Sequence, residues 1–512
     1  MESRSPMTFL VIDAGTWGVK ATLFNERAEI VSRARQDWSY EIPEGLHPLS
    51  KEFHPRRFWK AIVSTSRKAL SESTSSPDLL KAIIVTSQRH GVVFLDKKGL
   101  EIYGGPNLDL RAGIESAEIA ADRGDRIYEL TGHWPGPQFL LPRLLWFRKH
   151  KPEFFEQIDR FMMISDWINY RLTGIVAAEA SGLSETLLWE PGKRCFSTEL
   201  IEAFQIPSHI FPEVVENGKV LGPLSRKAAT QLGISPGVQV VVGGGDTPCG
   251  LLGCGAFQSG QAAVIAGTSA PVQILIDTFI TDENQNLSTS SFILPGLCAL
   301  EGNTLRAGTV LAWFIRQFLK PFKKGPDDQL YALLEKEAAN ISPGSGGLFS
   351  FLGPVVGGLK SFQMPVKSTI LGVATLPPAQ TSLFQFGRAI LENIAFAIRG
   401  NVELIAGLTQ RELPFLFAAG GLAKSQLFLQ ILSDVLDLPL RVPQTVETSS
   451  LGAFLLGTVA FDHSRNAGEA ARQHVRISRE IEPDPEGRKI YADFYRTWKE
   501  KYEVLLKSFS ER

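Results

Sequence analysis

Cysteine is scarce in this chain. Four cysteines occur among the 512 residues, at Cys195, Cys249, Cys254 and Cys298. They are too few to form a disulfide framework in a protein of this length. Cys249 and Cys254 lie close together in the sequence, but no histidine or further cysteine accompanies them, as a metal site would require. We therefore predict free thiols, buried inside a cytoplasmic protein.

Net charge and long apolar runs are lacking as well. The 53 lysines and arginines are balanced by 54 aspartates and glutamates, which leaves a formal charge of −1. This balance argues against nucleic acid as a partner, because phosphate-backbone binding depends on clustered positive charge. No apolar run approaches the roughly 20 residues that cross a bilayer as a helix. The polar segment from Met1 to Met7 also lacks the apolar stretch of a signal peptide. We expect no membrane partner and a cytoplasmic location.

Several well-known signatures are missing from the sequence. No Gly-Lys pair is followed by serine or threonine, so there is no P-loop. Neither the HExxH zinc motif nor the VAIK, HRD and DFG set of protein kinases occurs. If the chain binds a nucleotide, it does so with another kind of phosphate-binding loop.

What the chain does contain is a repeated pattern in two halves. Its length allows at least two domains, and its 44% apolar and 21% charged content is ordinary for a globular protein. A strand, a glycine-threonine turn and a returning strand occur around Asp13-Ala14-Gly15-Thr16 and again around Gly267-Thr268-Ser269. Two related α/β domains with a boundary near residues 240–260 would explain this repeat. A chance recurrence of so short a pattern remains an alternative.

The spacing of apolar residues predicts the other strands and helices of an α/β protein. Alternating or continuous apolar runs predict strands over 81–86, 238–242 and 415–418. Helical spacing of apolar residues is found over 58–70, 111–131, 142–150, 161–172, 386–400, 425–436, 447–460 and 490–509.

The first turn has the residues of a phosphate site. Gly15 lets the backbone approach an anion, and the Thr16 hydroxyl with the following N–H groups can bind phosphate oxygens. Asp13 can hold a magnesium ion directly or through water, and Lys20 can neutralise phosphate charge. A purely structural turn with an Asx-type bond is the alternative.

A second group surrounds a single carboxylate. Gly243, Gly244 and Gly245 follow a strand and clear side chains away from Asp246. A carboxylate in such a loop can accept a proton from an attacking hydroxyl, which is the step that phosphoryl transfer asks of a protein base. An ordinary glycine-rich turn is the alternative.

Two further turns repeat this theme in the second half of the chain. Gly267 and Thr268 form a second candidate phosphate turn. Gly420 and Gly421 stand between a strand and a helix, where a flat base or ribose could lie against the backbone near a helix N-terminus. An ordinary strand-to-helix turn would explain the second pair equally well.

Taken in order, these motifs resemble the FGGY family of carbohydrate kinases. The resemblance extends over nearly the whole chain, and each motif by itself is weak. The motifs that carry it are DAGT at 13–16, QRHG at 88–91, NLDLR at 107–111, PRLLW at 142–146, ISDW at 164–167, GGGD at 243–246, GTS at 267–269, GGLAKS at 420–425 and ETSSLGA at 447–453.

The resemblance implies a fold of two actin-like, ribonuclease H-like domains with a cleft between them. It implies a sugar-binding N-terminal domain at 1–245, a nucleotide-binding domain at 246–480, and a C-terminal helix at 481–512 that packs on the body. ATP and Mg²⁺ would be the cofactors, and a homodimer is left open.

The resemblance also implies a role for individual residues. Asp246 would be the catalytic base and a substrate contact, and Asp13 the magnesium-associated carboxylate. The nucleotide and its phosphates would be held by Gly15, Thr16, Lys20, Gly267, Thr268, Gly308, Gly420, Gly421 and Ser425. The sugar would be held by Gln88, Arg89, His90, Asp109 and Arg111.

The implied substrate is a small sugar or polyol. The loop at 88–91 is similar to the Gln-Met-His-Gly of xylulose kinases, with arginine in place of methionine, and shares Gln-Arg with glycerol kinases. The segments at 142–146 and 163–167 look like those of autoinducer-2 kinases. A ketose such as xylulose is the expected substrate, with an autoinducer-2 kinase as one alternative. A non-catalytic actin-like nucleotide-binding protein is an alternative of another class, and it would not require the loop at Arg89 and His90.

Two places depart from the family pattern. Trp17 stands where many members have threonine or serine, and the segment Gly353–Gly358 lacks a common Gly-Glu-Arg pattern.

Overall fold

The computed structural model describes residues 7–323, 325–358, 368–377, 380–461 and 464–510. Within these ranges no helix is long and apolar enough to cross a membrane. The four cysteines are free, as predicted; three are buried, whereas Cys195 is exposed, which corrects its predicted burial.

The first half of the chain contains thirteen strands and nine α-helices among the described residues. The strands are β1 Thr8–Gly15, β2 Gly18–Asn25, β3 Ile30–Asp37, β4 Leu80–Ser87, β5 Val92–Leu95, β6 Glu101–Gly105, β7 Arg160–Met163, β8 Ala177–Glu179, β9 Trp189–Glu190, β10 Cys195–Phe196, β11 Glu213–Val215, β12 Val220–Pro223 and β13 Gln239–Gly245. The helices are α1 Pro55–Ser71, α2 Gly113–Thr131, α3 Leu140–His150, α4 Pro152–Phe155, α5 Ile164–Thr173, α6 Ala180–Leu183, α7 Thr198–Ala203, α8 Arg226–Leu232 and α9 Asp246–Cys254.

A six-stranded sheet in the order β12-β13-β4-β1-β2-β3 organises this half. Strand β1 is antiparallel to β2 and parallel to β4, and β4 is parallel to β13. Side chains alternate between the faces of β1: Leu10 and Ile12 join the core beneath α1 and α5, whereas Phe9 and Val11 join a core on the opposite face. Because both faces are covered, β1 reads as a continuous apolar run.

The second half contains the remaining nine strands and seven α-helices of the described residues. The strands are β14 Ala262–Ile265, β15 Pro271–Ile276, β16 Ser288–Ser291, β17 Cys298–Asn303, β18 Phe349–Phe351, β19 Thr369–Leu371, β20 Leu416–Ala419, β21 Leu440–Pro443 and β22 Ile477–Ile481. The helices are α10 Gly308–Phe314, α11 Asp327–Ala339, α12 Leu383–Thr409, α13 Gln426–Leu436, α14 Thr448–Val459, α15 Ala467–His474 and α16 Gly487–Ser510.

The sheet of this half repeats the pairing of the first. Its order is β16-β17-β15-β14-β20-β21-β22, with β14 antiparallel to β15 and parallel to β20. The corresponding strands of the first half are β1, β2 and β4, which pair in the same way. The predicted fold class of two related α/β domains is confirmed. The predicted boundary at residue 245 stays a prediction.

The two sheets share one core built on a crossed helix pair. Residues of α9 and α14 pack between β1 and β4 on one side and β14, β15 and β20 on the other. At the crossing, a Cβ added to Gly253 would lie 1.9 Å from the carbonyl oxygen of Thr448, and one added to Gly452 would lie 1.8 Å from that of Cys249. The backbones of the two helices are therefore in contact, and this contact joins the halves of the molecule.

Four predicted elements differ in the structure. Strand β1 continues through Gly15, so Asp13 lies within the strand opposite Lys20 and the turn is limited to Thr16 and Trp17. The glycines at 243–245 likewise belong to β13, whose register with β4 shifts between Val241 and Gly244. The apolar segment 161–172 begins as strand β7 before it becomes α5. Helix α12 runs to Thr409 instead of ending at residue 400.

The C-terminal helix α16 packs on the second half of the chain. Tyr491, Tyr495, Trp498 and Tyr502 are buried in the core that also contains α12 and α13. The Trp498 indole N–H donates to Asn393 Oδ1 at 3.0 Å, and the Tyr491 hydroxyl donates to a carboxylate oxygen of α12.

Candidate active site

The parallel strands β1, β4 and β13 bring the chemistry-bearing residues to one edge of the first sheet. Ala14 is opposite Ser87 in one pairing, and Ser87 is opposite Gly245 in the other. Parallel strands end at a common edge, which is where α/β sheets place their ligands. Asp13, the loop that follows Ser87, and Asp246 therefore meet there although the sequence separates them widely.

Asp246 is the first residue of α9 and directly follows β13. Its Oδ1 accepts a hydrogen bond of 2.7 Å from the backbone N–H of Thr247. Burial raises the pKa of the Asp246 carboxyl, and the positive charge of Arg89 acts against that rise. A buried carboxylate with a nearby cation is suited to take a proton near neutral pH.

The glycine loop before Asp246 is held by buried polar groups. The Ser181 hydroxyl accepts a hydrogen bond of 3.2 Å from the N–H of Gly245. The Asn217 amide donates to the carbonyl of Gly243 and, at 2.9 Å, to Glu179 Oε2. These contacts fix the end of β13, and with it the position of the carboxylate.

Asp13 is buried on β1 and has a strongly perturbed carboxyl group. Burial raises its pKa to about 7, and the negative charges of Asp246 and Glu447 act in the same direction. Lys20 opposes the rise with its Nζ 3.9 Å from Asp13 Oδ2, but it lies closer to Glu447, at 2.7 Å from Oε2. A second cation would stabilise the ionised form of this carboxyl group, so Asp13 is a suitable ligand for a divalent ion.

The carboxylates at this edge fit a magnesium ion that keeps most of its own water. No group of three or more histidine, cysteine or carboxylate side chains suited to a metal occurs within the described residues. Mg²⁺ in phosphoryl-transfer sites needs only one or two protein carboxylates, since waters and phosphates fill its other positions. Asp13, with Asp246 close enough to raise its pKa, meets that requirement.

The loop after β4 carries an ion-paired arginine. Arg89 Nη1 and Nη2 donate to the two carboxylate oxygens of Glu301 at 2.8 and 3.1 Å, and Nη1 lies 3.5 Å from Glu185 Oε1. His90 Nδ1 lies 2.9 Å from the other oxygen of Glu185. Glu301 stands on β17 of the second half, so Arg89 joins the two halves of the chain.

Gln88 supports the first phosphate turn. Its amide nitrogen donates to the Gly15 carbonyl at 3.2 Å and to the Tyr40 hydroxyl at 3.1 Å, and its oxygen accepts from the N–H of Asn107 at 3.0 Å. Asn107 also donates to the Thr16 hydroxyl at 2.9 Å. The Gln88 side chain is buried and its hydrogen bonds hold the first phosphate turn, while its predicted contact with the sugar stays a prediction.

Asp109 and Arg111 are buried against each other. Arg111 Nε donates to Asp109 Oδ2 at 2.7 Å, and neither side chain is exposed. The Asp109 carboxylate also accepts from the backbone N–H of Lys51 at 3.0 Å. Both side chains are buried, and their predicted contact with the substrate stays a prediction.

A cavity of about 1180 Å³ lies beside the first phosphate turn. Its lining includes Trp17 beside Thr16, and the predicted nucleotide residues Lys20, Gly267, Thr268, Gly308, Gly421 and Ser425. The second phosphate turn is held to α10, since the N–H of Gly308 donates to the Gly267 carbonyl at 3.0 Å. Gly420 lies just behind this lining with φ at 94°, a left-handed conformation that favours glycine.

Ser425 has a structural role at this cavity. Its hydroxyl caps α13 by accepting from the N–H of Phe428 at 3.1 Å, and it donates to Glu335 Oε1 at 3.1 Å. Glu335 lines the same cavity. The predicted adenosine contact at Ser425 is therefore positioned by a carboxylate that no sequence motif indicated.

Several residues of the site were not predicted. They are Glu185 and Glu301 beside Arg89, Glu447 beside Lys20, and His133 beside Glu185. Glu447 could have been found, since it opens the ETSSLGA segment. Glu185 and Glu301 are single acidic residues in unremarkable segments, and only the tertiary fold brings them to Arg89.

Two solved structures have a fold similar to that of this protein. The structure is similar to the xylulose kinase from Rhodospirillum rubrum, with a TM-score of 0.86, 24% identity, and coverage of 99% of this chain and 100% of that one. It is also similar to the glycerol kinase of Plasmodium falciparum with ADP, with a TM-score of 0.82, 20% identity, and coverage of 97% and 98%. These likenesses confirm the actin-like fold of two domains.

The family follows from the sequence models. Residues 8–253 match the N-terminal domain, and residues 262–461 the C-terminal domain, of the FGGY family of carbohydrate kinases. The chain belongs to that family, and the predicted class of enzyme, a carbohydrate kinase, is confirmed. Among curated proteins it is similar to the autoinducer-2 kinase of Escherichia coli K12, with 28% identity over 512 residues, 98% of this chain and 96% of the relative.

Proposed function

We propose that this kinase transfers a phosphoryl group from ATP to a hydroxyl of a small neutral sugar, most directly a ketose such as xylulose, with Asp246 as the base. One observation carries the proposal: charged groups connect the large cavity to the loop at residues 88–91, here called the sugar loop. Lys20 lines the cavity, and its Nζ lies 3.9 Å from Asp13 Oδ2. Burial and the negative charge of Asp246 raise the pKa of Asp13, and burial raises the pKa of Asp246 while the positive charge of Arg89 lowers it.

The role of Asp246 is to take the proton of the attacking hydroxyl. Burial raises its pKa, which makes the carboxylate a better proton acceptor, while the positive charge of Arg89 keeps it ionised. Its position at the start of α9 is fixed by the helix crossing and by the contacts on Gly243 and Gly245. In phosphoryl transfer this positioning is a main contribution of the protein.

The cofactors would be held on both sides of the cleft. The nucleotide would occupy the large cavity, its phosphates near the turns at Gly15-Thr16 and Gly267-Thr268, and Asp13 would hold Mg²⁺. The bound magnesium nucleotide supplies the transferable phosphoryl group and neutralises part of its charge. Lys20 is held by Glu447 at 2.7 Å beside this position, so it adds positive charge at a fixed place.

Two candidate substrates of the proposed kinase have specific support. The sequence of residues 88–91, which resembles the corresponding loop of xylulose kinases, favours a ketose. An autoinducer-2 kinase is the second candidate, supported by relatives of that name that are 28–29% identical over nearly the whole chain. A non-catalytic actin-like protein is disfavoured, because Asp246 and the sugar loop are both present in a carbohydrate kinase family member.

A coupled ADP-release assay on the full chain separates the candidates. The screen includes ketopentoses, polyols, deoxy-ketoses and the autoinducer-2 precursor, each with ATP and Mg²⁺. We expect saturable, sugar-dependent ADP release that is highest with a ketopentose. Highest kcat/KM for the autoinducer-2 precursor would select the second candidate. Nucleotide-dependent filaments without sugar-stimulated ADP release would contradict the kinase proposal.

A further inference from the structure

The sugar end of the cleft has an unusual balance of charge. Arg89 lies there and faces the carboxylates of Glu185, Glu301 and Asp246. Both terminal nitrogens of its guanidinium are already paired with Glu301, at 2.8 and 3.1 Å. A bidentate arginine-carboxylate pair uses the geometry by which arginine would otherwise recognise an anionic ligand.

Glu301 is held firmly in this arrangement. It lies opposite Gln273 across β17 and β15, and the Gln273 amide donates to its Oε2. Asn303 donates to its Oε1 at 2.9 Å. The side chain is buried, and Arg89 with these amides lowers its pKa although burial acts the other way. Glu301 therefore remains an ionised partner for Arg89.

A nearby polar atom points to the kind of ligand that fits. The Gln273 side-chain oxygen is buried and has no hydrogen-bond partner among the described residues. A buried acceptor of this kind gains free energy when a ligand supplies a donor. A hydroxyl of a neutral sugar or of an aldonate can donate to it, so this atom fits a polyhydroxylated ligand and the discrimination against acids depends on the charges.

We propose that Glu301 determines substrate specificity by neutralising Arg89, so that the site accepts neutral polyhydroxylated sugars and rejects sugar acids. The inference rests on the proposed function and assigns its substrate class. A sugar carboxylate would enter a site with three protein carboxylates and no unengaged cation on the described loop, and like charges at short distance disfavour binding. A neutral sugar meets no such repulsion.

Glu301 also positions Arg89 relative to the base. The Arg89 stem passes over Gly245, since a Cβ added at Gly245 would lie 3.3 Å from Arg89 Cγ. Gly245 is the residue before Asp246, so a guanidinium released from Glu301 has a carboxylate within its reach. Removal of the Glu301 charge should therefore impair the reaction of neutral sugars and, at the same time, provide a cation for a sugar acid.

The test compares kcat/KM for the best neutral sugar of the screen with kcat/KM for five- and six-carbon aldonates. We expect Glu301→Gln to raise the aldonate-to-neutral ratio by about tenfold or more, the effect of one newly available ionic contact. Combination with Arg89→Met should remove the gain, because Arg89 would be the aldonate's partner. Glu480→Gln is the matched control: Glu480 pairs with Arg441 at 2.9 Å on the distant strands β21 and β22, and the ratio should not change.

Glu301→Asp is a second test variant, because it keeps the negative charge at position 301. We expect its ratio to stay near that of the wild type, and folding of every variant is followed by circular dichroism. An unchanged ratio in Glu301→Gln, or an equal rise in Glu301→Asp, would overturn the inference while leaving the kinase proposal intact. A wild type that prefers aldonates would also overturn it. A wild type that releases ADP with no sugar would overturn the proposed function, and this inference with it.

Discussion

At the scale of single residues, Asp246 and Arg89 are electrostatically coupled although they belong to different segments. Burial raises the pKa of Asp246, and the guanidinium of Arg89 lowers it. The active form of a base is the carboxylate, so activity rises as the pH passes upward through this pKa. The position of the acid limb of the pH profile therefore depends on Arg89.

We expect Arg89→Met to move the acid limb of kcat/KM to higher pH, because the carboxylate loses the cation that stabilises its charged form. Profiles of kcat/KM against pH from 5 to 9, with the neutral sugar, measure the displacement. Arg441→Met, which removes an arginine far from the cleft, should leave the profile unchanged. A limb that stays in place, or moves to lower pH, would contradict the coupling.

His133 offers a residue-scale test of stability. Burial lowers its pKa from 6.5 to about 4, and its ring nitrogen lies 3.0 Å from the Ser290 hydroxyl. Between these two pKa values the unfolded chain binds more protons than the folded one, so stability falls as the pH falls from 6.5 toward 4. From pH 7.5 to pH 5 this amounts to about 2 kcal/mol.

His133→Gln should therefore lose less stability than the wild type over that pH range, even if it is less stable at pH 7.5. Thermal midpoints at both pH values give the difference. His54→Gln serves as the control, since His54 is exposed and should leave the pH dependence as it is. Equal pH dependence in His133→Gln and the wild type would show that His133 is not buried in its neutral form.

Much of the site could be predicted from the sequence at this scale, but not its counter-charges. Asp13, Arg89 and Asp246 stand in glycine- or turn-rich segments beside predicted strands, and such a context indicates a functional side chain. Glu185 and Glu301 lie in segments without such a pattern. Their importance comes from distances to Arg89 that only the packed chain sets.

At the scale of elements, helices α9 and α14 determine how the halves meet. Their backbones touch at Gly253 and Gly452, and α9 begins with Asp246. The sequence predicted α14 from its apolar period but could not indicate the contact, since glycines in a helix are otherwise unfavourable and have no side chain to reveal a partner. Strand ends were predicted less well, because β1 and β13 continue through glycines that resemble turns.

Gly452→Ala tests the crossing. The added Cβ would lie 1.8 Å from the Cys249 carbonyl, so the helices must move apart. We expect a loss of about 2 kcal/mol or more in the free energy of unfolding, as for overpacking in a core, and a fall in kcat because α9 carries Asp246. Urea denaturation and the ADP-release assay measure the two effects.

Gly407→Ala is the matched control for this change. Gly407 lies in α12, is exposed, and an added Cβ would meet no atom within 4 Å. Alanine at such a position should stabilise the helix by about 0.5–1 kcal/mol and leave kcat unchanged. Equal stability of Gly452→Ala and the wild type would mean that the helix contact is not needed.

At the scale of the whole molecule, the proposed reaction would use both halves of the chain. The first half would supply Asp13 and the loop at residues 88–91, and the second would supply Glu301 and turns that line the large cavity. The repeated strand-turn-strand pattern predicted two related halves, each with a phosphate-sized turn, and their separate roles stay a prediction. The ion pair between Arg89 and Glu301 was not predictable, since it arises only when the halves face each other across the cleft.

The most direct test of the account is the turnover of Asp246→Asn. The substitution keeps the shape of the side chain and removes its ability to accept the proton. With the neutral sugar that gives the highest wild-type activity, we expect kcat to fall by about a thousandfold or more, while calorimetry shows ATP affinity within about threefold of the wild type. A kcat within about tenfold of the wild type would contradict the assignment of Asp246 as the base.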